Sequence, residues 1–561
     1  MNLNGKTIRS PKALVAVLGI SMLFVGICGI SYEYTFSRLA SDILGNSVKQ
    51  WAIIIGLMML FMGIGADLQK YFPDKYNVDN FVFFEIILGL LGGLGPSITL
   101  YAFGNMHDHF ILIHYFFICS IGLLIGLEIP LLTRVNEMAV PSLKRNLGLI
   151  LKMDYIGSFI GALVWVFILP RFFNVLEISF FLGIVNVVVA LFAWVWFSPW
   201  MQYPRIIPAF AVASLVILTV GLFNGKTITI TAEQKLYRDP IVYTRTTMYQ
   251  RIVITKNYSG DLYFYINGHL QFSSLDEYIY HEFLVHPAMA AVPKKQNILV
   301  LGGGDGLAVR EILKYKEVHS VTLVDIDPEV TRLAATNADL VKMNGGSLTG
   351  PKVKIHSPEG IEPGEKVSLT QFGQGHFKRF RSDDSVEIHL YHIDAFKFVE
   401  SISGIFDVIV IDFPDANHVE LAKLYSLEFY TMLKHKLAFD GLIIQQSSNP
   451  ALAKEVFLVV GRSMEAAGFR TLPLHQTVPS FGDWGWWIAG HEERYGPETL
   501  KRLVTDSPGL PDDVQYITRN LILASQQFGK NGLTTDNTDL NTLLNKRIFY
   551  YYEQALEKMR Q

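Results

Sequence analysis

The chain has 561 residues, of which 50% are hydrophobic, and its mean hydropathy is +0.28. This length allows several domains, and this hydropathy is high for a chain that is soluble throughout. The formal net charge of −3 is too balanced for a protein whose main task is nucleic-acid binding. Only two cysteines are present, Cys28 and Cys119, both in apolar runs, which excludes a disulfide framework and a thiolate metal site.

The excess of apolar residues lies in the N-terminal part. Most of its apolar runs are long enough to cross a bilayer as helices. There are seven runs, near residues 13–32, 51–66, 80–103, 109–133, 147–170, 176–198 and 206–223. We therefore predict an α-helical multi-pass domain of about seven helices at 1–225, located in the cell membrane with the lipid bilayer as its partner.

Acidic residues lie in or beside four of these runs. They are Glu33, Glu85, Glu128 and Asp154. Because an ionisable group at membrane depth is costly, such residues often have a function. All four lie near the ends of their runs, so anchoring at the membrane interface and a polar cavity between helices are equally good interpretations.

The chain that follows is predicted to be soluble and to begin with a small β-strand domain at 226–275. Its residues alternate as strands do, and the Asn-Gly pair at 267–268 is a favoured hairpin turn. Repeated strand and helix patterns then predict an α/β doubly wound, Rossmann-like domain of the methyltransferase type at 276–500. A stretch rich in turn residues near 355–386 is predicted to be an insertion, and a C-terminal helical tail is expected at 501–561.

The motif with most chemical information opens this Rossmann-like domain. Asn297-Ile-Leu-Val-Leu-Gly-Gly-Gly-Asp-Gly306 has the pattern of a strand and a glycine turn, and Ser320-Val-Thr-Leu-Val-Asp-Ile-Asp327 that of a second strand ending in carboxylates. Together they predict a nucleotide-binding βαβ unit. Asp305 would repel a pyrophosphate where such a loop normally attracts an anion. The motif therefore favours a cationic nucleoside, and so a sulfonium compound, over a dinucleotide.

The order of motifs from about residue 240 to the C-terminus resembles the spermidine synthases, which are polyamine aminopropyltransferases. The motifs are Tyr249-Gln250, Asn267-Gly-His-Leu-Gln271, Asp276-Glu-Tyr-Ile-Tyr-His-Glu282 with His286-Pro287, the glycine turn, Val324-Asp-Ile-Asp327, Asp394-Ala395, Asp412-Phe-Pro-Asp415, Leu424-Tyr-Ser-Leu-Glu-Phe-Tyr430 and Gln445-Gln-Ser447. Two N-terminal segments, Glu128-Ile-Pro-Leu-Leu-Thr-Arg134 and Asp154-Tyr-Ile-Gly157, resemble the multi-pass, membrane-fused branch of the family.

This resemblance implies an enzyme that transfers the aminopropyl group of decarboxylated S-adenosylmethionine to putrescine, giving spermidine and methylthioadenosine. It implies no permanently bound cofactor, because the decarboxylated nucleoside is a co-substrate, and no metal. The implied partners are putrescine or a related polyamine, and further copies of the chain in a homodimer or higher homo-oligomer. No nucleic-acid partner is expected.

The resemblance also implies roles for single residues. Asp412 would be the general base, with Tyr280 as a proton relay. The nucleoside would be held by Gln250, Gly302, Gly304, Asp305, Asp325, Asp394 and Ala395. The amine chain would be bound by His281, Asp415 and Gln271. Because ordinary S-adenosylmethionine carries a carboxylate, Asp305 would disfavour it by like-charge repulsion.

Three positions depart from the family pattern. Asp325 stands where the family more often has glutamate, a change that can keep the ribose-binding role. Ala416 and Phe481 stand where proline and an amine-contacting tyrosine are common. The resemblance therefore leaves open which amine is the acceptor. Nearby, Trp484, Trp486 and Trp487 are expected to pack in the core rather than form a stacking platform.

Two rival functions stay open. The first is an S-adenosylmethionine-type methyltransferase acting on a membrane substrate, against which Asp305 and the pair Asp412 and Asp415 argue. The second is a polyamine sensor or transporter whose soluble domain only binds. The acidic residues of the apolar runs keep this second rival open.

Loop charges conflict with the predicted span count. Lys and Arg are more frequent on the side of the N-terminus, which favours a cytoplasmic N-terminus. Seven spans would then export the C-terminal part, although an enzyme that uses a metabolic nucleoside is expected in the cytoplasm. Either one segment, for which 147–170 is the candidate, does not span, or the charge bias fails. We expect the catalytic domain in the cytoplasm.

Overall fold

A computed structural model describes residues 2–3, 6–7, 11–44, 47–106, 109–137, 142–350, 352–356, 386–507 and 509–560. Most of the insertion predicted near 355–386 lies outside these ranges. The chain forms two compact units, Met1–Ile241 and Val242–Gln561. We call them the helical unit and the α/β unit, and each is described by itself.

The helical unit consists of a short strand pair followed by helices. The strands are β1 (Asn2–Leu3) and β2 (Lys6–Thr7), and the helices are α1 (Pro11–Leu44), α2 (Ser47–Leu68), α3 (Asn77–Asn105), α4 (Phe110–Asn136), α5 (Leu143–Phe167), α6 (Leu169–Phe172), α7 (Val175–Phe197) and α8 (Ile206–Glu233). Within the described residues, seven segments are long and apolar enough to cross a membrane, because α5 and α6 together form one segment, Lys144–Phe172. Each of the seven predicted apolar runs thus falls in a helix of spanning length.

Close approach of glycine backbones packs these helices in pairs. A Cβ atom added at Gly126 of α4 would lie 2.1 Å from the carbonyl oxygen of Met62 in α2. One added at Gly157 of α5 would lie 2.1 Å from the carbonyl oxygen of Leu23 in α1. Small residues that let backbones touch are typical of helix pairs in membranes, where van der Waals contact replaces the hydrophobic effect.

Two of the four acidic residues of the helical unit are fully buried. Glu85 and Glu128 are each 0% exposed. The Nδ2 atom of Asn186 donates to Glu85 at 2.9 Å, and the hydroxyl of Tyr32 donates to Asn186 at 3.4 Å. These positions exclude helix-end anchoring for Glu85 and Glu128 and place both carboxylates between helices, whereas Glu33 is partly exposed.

The α/β unit begins with a small antiparallel sheet. Its strands are β3 (Ile241–Thr246), β4 (Arg251–Lys256), β5 (Leu262–Ile266) and β6 (His269–Ser273), paired in this order. The predicted hairpin turn joins β5 to β6 and has positive φ at Asn267 (50°) and Gly268 (81°). This left-handed pair of residues is what a two-residue hairpin requires.

A larger sheet forms the centre of the unit. Its strands are β7 (Asn297–Gly302), β8 (Ser320–Asp325), β9 (Val353–His356), β10 (Glu387–His392), β11 (Phe406–Asp412), β12 (Leu437–Gln446), β13 (Phe469–Val478) and β14 (Gly482–His491). In the described part of the chain their order is β13-β14-β12-β11-β7-β8-β10-β9, and β14 alone runs antiparallel to both of its neighbours. The chain leaves β7 toward β8 and later returns to its other side at β11, which makes the carboxyl end of β7 the crevice of a doubly wound sheet.

Helices cover both faces of this sheet. They are α9 (Glu277–Ala291), α10 (Leu307–Ile312), α11 (Pro328–Thr336), α12 (Ala338–Met343), α13 (Ala395–Ser401), α14 (Leu427–Lys434), α15 (Lys454–Ala466), α16 (Pro497–Thr505), α17 (Arg519–Ala524) and α18 (Arg547–Arg560). Alternate residues of each strand point to opposite faces. Val300 accordingly packs in one core with Phe283 of α9, and Leu301 in the other with Phe457 of α15. The central strands are apolar throughout because both of their faces are buried.

Candidate active site

One cavity of about 510 Å³ opens at the carboxyl ends of β7, β8 and β11. Every residue assigned to the site from the sequence lines it. These residues are Gln250, Gln271, Tyr280, His281, Gly302, Gly304, Asp305, Asp325, Asp394, Ala395, Asp412 and Asp415. They come from the small sheet, α9, the glycine turn and the ends of parallel strands, so the topology brings together groups that are far apart in the chain.

The glycine turn packs closely against Asp412 and Asp325. Gly302 has φ of 80° and pairs with Asp412 of β11, and a Cβ atom there would lie 2.2 Å from the Asp412 carbonyl oxygen. At Gly304 a Cβ atom would lie 2.4 Å from Oδ2 of Asp325. Any larger residue at Gly304 would therefore displace a carboxylate from the cavity wall.

Asp325 ends β8 beside this turn. Its Oδ2 accepts a hydrogen bond from the backbone N–H of Gly304 at 3.0 Å, and its Oδ1 accepts one from that of Asp327 at 2.8 Å. Burial raises the pKa of Asp325 to about 7. The two backbone bonds fix the orientation of the carboxylate and leave further lone pairs available to a ligand.

Asp394 lies at the end of β10 and caps α13. Its Oδ1 accepts from the backbone N–H of Phe396 at 2.9 Å, and its Oδ2 pairs with Nζ of Lys423 at 2.5 Å. Lys423 also lines the cavity but was not predicted from the sequence. A single lysine near an apolar motif usually indicates a solvated surface, so the sequence carried no signal for it.

Tyr280 and Asp412 are joined directly. The Tyr280 hydroxyl donates to Oδ1 of Asp412 at 2.6 Å. Burial raises the pKa of Asp412 to about 6, an effect that the nearby charge of His281 opposes. Burial, together with the charge of Asp412, raises the pKa of Tyr280 well above its usual value, so the phenol stays protonated and acts as the donor.

His281 lies beside the carboxylates of Glu277, Asp305 and Asp412. Its Nδ1 lies 2.9 Å from Oε2 of Glu277, which is also held by Arg310. Burial alone would lower the pKa of His281, but the hydrogen bond and charge of Glu277 raise it to about 9. A ligand atom from each of His281, Asp305 and Asp412 lies within 4.8 Å of the others, so His281 would have to lose its proton before this cluster could bind a metal ion.

Asp305 is oriented by the backbone of the following helix. Its Oδ1 accepts from the N–H of Leu307 at 2.8 Å. Burial raises its pKa above the usual value, and the charge of His281 opposes the rise. The carboxylate is thus held at the first turn of α10, in the position where related loops receive an anion.

Asp415 forms a second acidic position in the cavity. Its Oδ2 accepts a hydrogen bond from Ser448 Oγ at 3.1 Å, and burial raises its pKa to about 6. Ser448 has φ of 65°, a strained left-handed conformation of the kind that clusters at functional sites. The side chains of Gln446 and Tyr552 also interact with Asp415 and, like Ser448, lower its pKa. Neither Ser448 nor Tyr552 was assigned to the site from the sequence.

Aromatic side chains complete the wall near Tyr280. The ring centroids of Phe481 and Trp484 are 4.9 Å apart, and that of Phe481 lies 6.0 Å from that of Tyr280. Trp486 and Trp487 are buried in the cores, as the packing prediction requires. Trp484 differs, since it lines the cavity and could meet a ligand.

Known proteins resemble the chain over almost its whole length. The family described as "Spermine/spermidine synthase domain" matches residues 277–368 and 368–499. The polyamine aminopropyltransferase of Oceanobacillus iheyensis is 35% identical over 99% of this chain and 99% of the relative, and that of Leptospira interrogans is 35% identical over 97% and 99%. A crystal structure of spermidine synthase from Thermotoga maritima covers 52% of this chain and 87% of that chain, with 21% identity and a TM-score of 0.39.

The two relatives align with the helical unit as well as with the α/β unit, because the aligned regions cover nearly all of each chain. The sequence-based prediction of the family, and of a transferase enzyme, is thereby confirmed. The chain belongs to the polyamine aminopropyltransferase family.

Proposed function

We propose that the α/β unit transfers the aminopropyl group of decarboxylated S-adenosylmethionine to putrescine, giving spermidine and methylthioadenosine. The observation that carries this proposal is the acidic cavity. Asp305, Asp325, Asp394, Asp412 and Asp415 line it together, and both substrates are cations. An acidic cavity attracts both and disfavours an anionic dinucleotide.

The nucleoside would lie against the glycine turn. Asp325, already oriented by two backbone N–H groups, would accept the ribose hydroxyls. The adenine would be bound by Asp394 and Ala395, with Gln250 contacting the nucleoside from the small sheet. Gly302 and Gly304 would let the ligand approach the backbone closely, and Asp305 would repel the carboxylate of ordinary S-adenosylmethionine.

Asp412 is proposed as the general base. A primary ammonium like that of lysine has a pKa near 10.4, so removing its proton at pH 7 costs about 4 to 5 kcal/mol. Asp412, with a pKa of about 6, is mostly ionised at neutral pH and can accept this proton, assisted by Tyr280. The base therefore acts through position and relay to solvent rather than through high basicity.

The proposed reaction is a direct displacement at the propyl carbon of the sulfonium. The ammonium of putrescine loses one proton to Asp412, and the free amine then attacks the propyl carbon attached to the sulfonium sulfur. The new N–C bond forms as the C–S bond breaks. The electron pair of the C–S bond stays on the sulfur and neutralises its charge as methylthioadenosine leaves. Asp412 then releases its proton to solvent. Holding the amine in line with the C–S bond contributes further acceleration.

The second ammonium of putrescine would bind at Asp415. Ser448 orients that carboxylate at 3.1 Å. Gln271 and His281 are proposed to contact the amine chain between its ends, and both line the cavity. The faces of Phe481 and Trp484 offer cation–π contact to an alkylammonium.

The proposed cellular setting is the cell membrane, with the α/β unit in the cytoplasm and the chain in a homodimer or higher homo-oligomer. The seven segments of spanning length support the membrane location. An odd number of spans places the termini on opposite sides, so a cytoplasmic α/β unit needs an N-terminus outside. Fusing a fluorescent protein that matures only in the cytoplasm to each terminus tests this orientation, because fluorescence from the N-terminal fusion alone would contradict it.

A second candidate function concerns the helical unit, as a sensor or transporter of polyamines. One observation favours it. Both carboxylate oxygens of Glu128 are buried, and among the described residues neither has a hydrogen-bond partner. A carboxylate in that position needs a proton or a cation. Uptake of labelled putrescine into proteoliposomes, lost in Glu128→Gln but kept in Asp412→Asn, would support this function.

The experiment that tests the main proposal is product analysis by mass spectrometry. Purified full-length protein is incubated with decarboxylated S-adenosylmethionine and a panel of amines, beside Asp412→Asn. Methylthioadenosine with one aminopropylated amine, both lost in the variant, is the expected result. Methylated products from ordinary S-adenosylmethionine would instead support the rival methyltransferase, and no turnover with any amine would refute the synthase.

A further inference from the structure

The C-terminal helix α18 reaches the same cavity as the glycine turn. Tyr552, Ala555 and Leu556 of α18 line the cavity together with Asp415 and Ser448. Their spacing of three and four residues places them on one face of the helix. The C-terminal tail therefore provides part of the cavity wall, at the end where Asp415 lies.

Buried contacts fix α18 in this position. Ile548 and Phe549 are 1% and 2% exposed and pack in the core that contains Phe457 of α15. On the outer side, Nδ2 of Asn537 donates to the Tyr551 hydroxyl at 2.6 Å. The first turns of α18 are thus held by both an apolar and a polar set of contacts.

Asn541 ties the segment before α18 to the cavity region. It is fully buried. Its Nδ2 donates to the carbonyl oxygen of Ala422 at 2.7 Å, its backbone N–H donates to Ser463 Oγ at 3.0 Å, and its Oδ1 accepts from the N–H of Ile548 at 3.3 Å. Buried amides with this many partners specify one arrangement of the chain. The tail is consequently preorganised before any amine binds.

Within this arrangement Tyr552 and Asp415 line the same cavity, and the Tyr552 hydroxyl interacts with the carboxylate, which also receives the hydrogen bond from Ser448. Burial, and then the charge of Asp415, raises the pKa of Tyr552 well above its usual value. The hydroxyl therefore keeps its proton and donates to the carboxylate. The side chains of Ser448, Gln446 and Tyr552 all interact with Asp415, and Tyr552 lines the cavity together with that carboxylate.

We propose that Tyr552 determines acceptor specificity: its hydroxyl orients Asp415 toward the second ammonium of the acceptor, and its ring closes the cavity beside that carboxylate, so that the site selects a short diamine over a longer polyamine. This inference rests on the proposed function, since it names the length-selecting residue of the same amine site. Among the described residues, the side-chain partners of Asp415 are Ser448, Gln446 and Tyr552, and Tyr552 is the one that α18 contributes.

Two substitutions separate the hydroxyl from the ring. Tyr552→Phe removes the donor and keeps the volume, so we expect KM for putrescine to rise about 10-fold with kcat within about 2-fold of the parent, as for loss of a hydrogen bond to a charged group. Tyr552→Ala also opens the space, so the ratio of kcat/KM for spermidine to that for putrescine should rise at least about 10-fold, while it stays unchanged in Tyr552→Phe.

Tyr550 of the same helix provides the matched control, because its side chain is 51% exposed. Tyr550→Phe and Tyr550→Ala should keep the parent's KM and acceptor ratio. Thermal unfolding of every variant is measured alongside, and if Tyr552→Ala fails to fold, the KM effect of Tyr552→Phe decides the question.

A second readout keeps this test separate from that of the proposed function. Affinities for putrescine and spermidine are measured by calorimetry on the full chain saturated with methylthioadenosine. Weaker putrescine binding in Tyr552→Phe supports the inference even if turnover is lost. A parent that transfers aminopropyl groups while both Tyr552 variants keep its KM, affinities and acceptor ratio would overturn the inference alone. A parent that neither turns over nor binds any amine would overturn both.

Discussion

The Tyr280 hydroxyl donates a 2.6 Å hydrogen bond to Oδ1 of Asp412, joining α9 to the end of β11 across 132 positions of the chain. The bond holds a protonated phenol against the carboxylate that lies beside Gly302 in the sheet register. A carboxylate with one oxygen occupied in this way presents the other to the cavity. This geometry is what a general base for a bound ammonium requires.

Replacing Asp412 by asparagine should lower kcat by at least about 100-fold, because general-base catalysis typically contributes that much or more. Asparagine keeps the size and can still accept the Tyr280 hydrogen bond, so binding of methylthioadenosine should change little. Steady-state kinetics and calorimetry measure the two effects. Asp513→Asn, at an exposed position, is the control and should match the parent. Parent-like kcat in Asp412→Asn would refute Asp412 as the base.

The pH profile should have an acidic limb set by Asp412. Its pKa in the ligand-free protein is about 6, and the carboxylate must be ionised to accept a proton, so kcat/KM should rise as pH increases through about 6. The Tyr280 hydrogen bond lowers this pKa, so in Tyr280→Phe the limb should move to higher pH, and the maximum of kcat/KM should fall. Kinetics between pH 5 and 9 at substrate concentrations below KM measure the shift. A limb that moves to lower pH would contradict the assignment.

The residues that could be predicted from the sequence share one physical property. Asp325 and Asp412 each end a parallel strand and Asp394 closely follows one, and the carboxyl ends of such strands meet at one edge of a doubly wound sheet. The glycine turn could also be predicted from its residues. The backbone at Gly302 passes so close to Asp412 that only glycine fits there, and the sequence has glycine at that position. Strand patterns and turn chemistry are local, and these positions follow from them.

The residues that could not be predicted depend on tertiary packing. Tyr552 reaches the cavity because α18 packs beside α15 through Ile548 and Phe549, and nothing local in the tail indicates that contact. Trp484 and Trp486 share one face of β14, yet Trp486 is buried and Trp484 lines the cavity nearer the strand's start. Alternation predicts the face of a strand but not the point along it where the core ends.

Asp305 should control the choice between decarboxylated and ordinary S-adenosylmethionine. In Asp305→Asn the side-chain oxygen can still accept from Leu307, while the charge is removed. We expect the ratio of the two dissociation constants to shift about 10-fold or more toward the ordinary nucleoside, because the carboxylate–carboxylate repulsion is lost. Calorimetric titration with both nucleosides measures it. Asp305→Glu keeps the charge and should keep the parent's preference, and an unchanged ratio in Asp305→Asn would exclude like-charge selection.

Removal of metal ions should leave activity intact. His281, Asp305 and Asp412 lie close enough together to bind an ion, but His281, with a pKa of about 9, is protonated at neutral pH and offers no lone pair to a metal. Protein dialysed against a strong chelator should therefore keep the parent's kcat. Activity lost on chelation and restored by one divalent ion would require a metal in the mechanism. Asp67→Asn serves as the control substitution. Asp67 is exposed in the helical unit, where it pairs with Lys70 at 2.7 Å, and it belongs to no such cluster among the described residues.

Gly304→Ala should weaken nucleoside binding through Asp325 alone. The backbone at Gly304 is not in the left-handed region, so alanine is tolerated there, but its Cβ would lie 2.4 Å from Oδ2 of Asp325. The carboxylate must then move and give up its hydrogen bond from the Gly304 N–H. We expect the dissociation constant for methylthioadenosine to rise at least about 10-fold, as for a lost hydrogen bond to a charged group.

Gly496→Ala is the control, because the atom nearest to the added Cβ would be 3.8 Å away, and this variant should bind methylthioadenosine like the parent. Unchanged nucleoside affinity in a folded Gly304→Ala variant would mean that Asp325 does not hold the ribose.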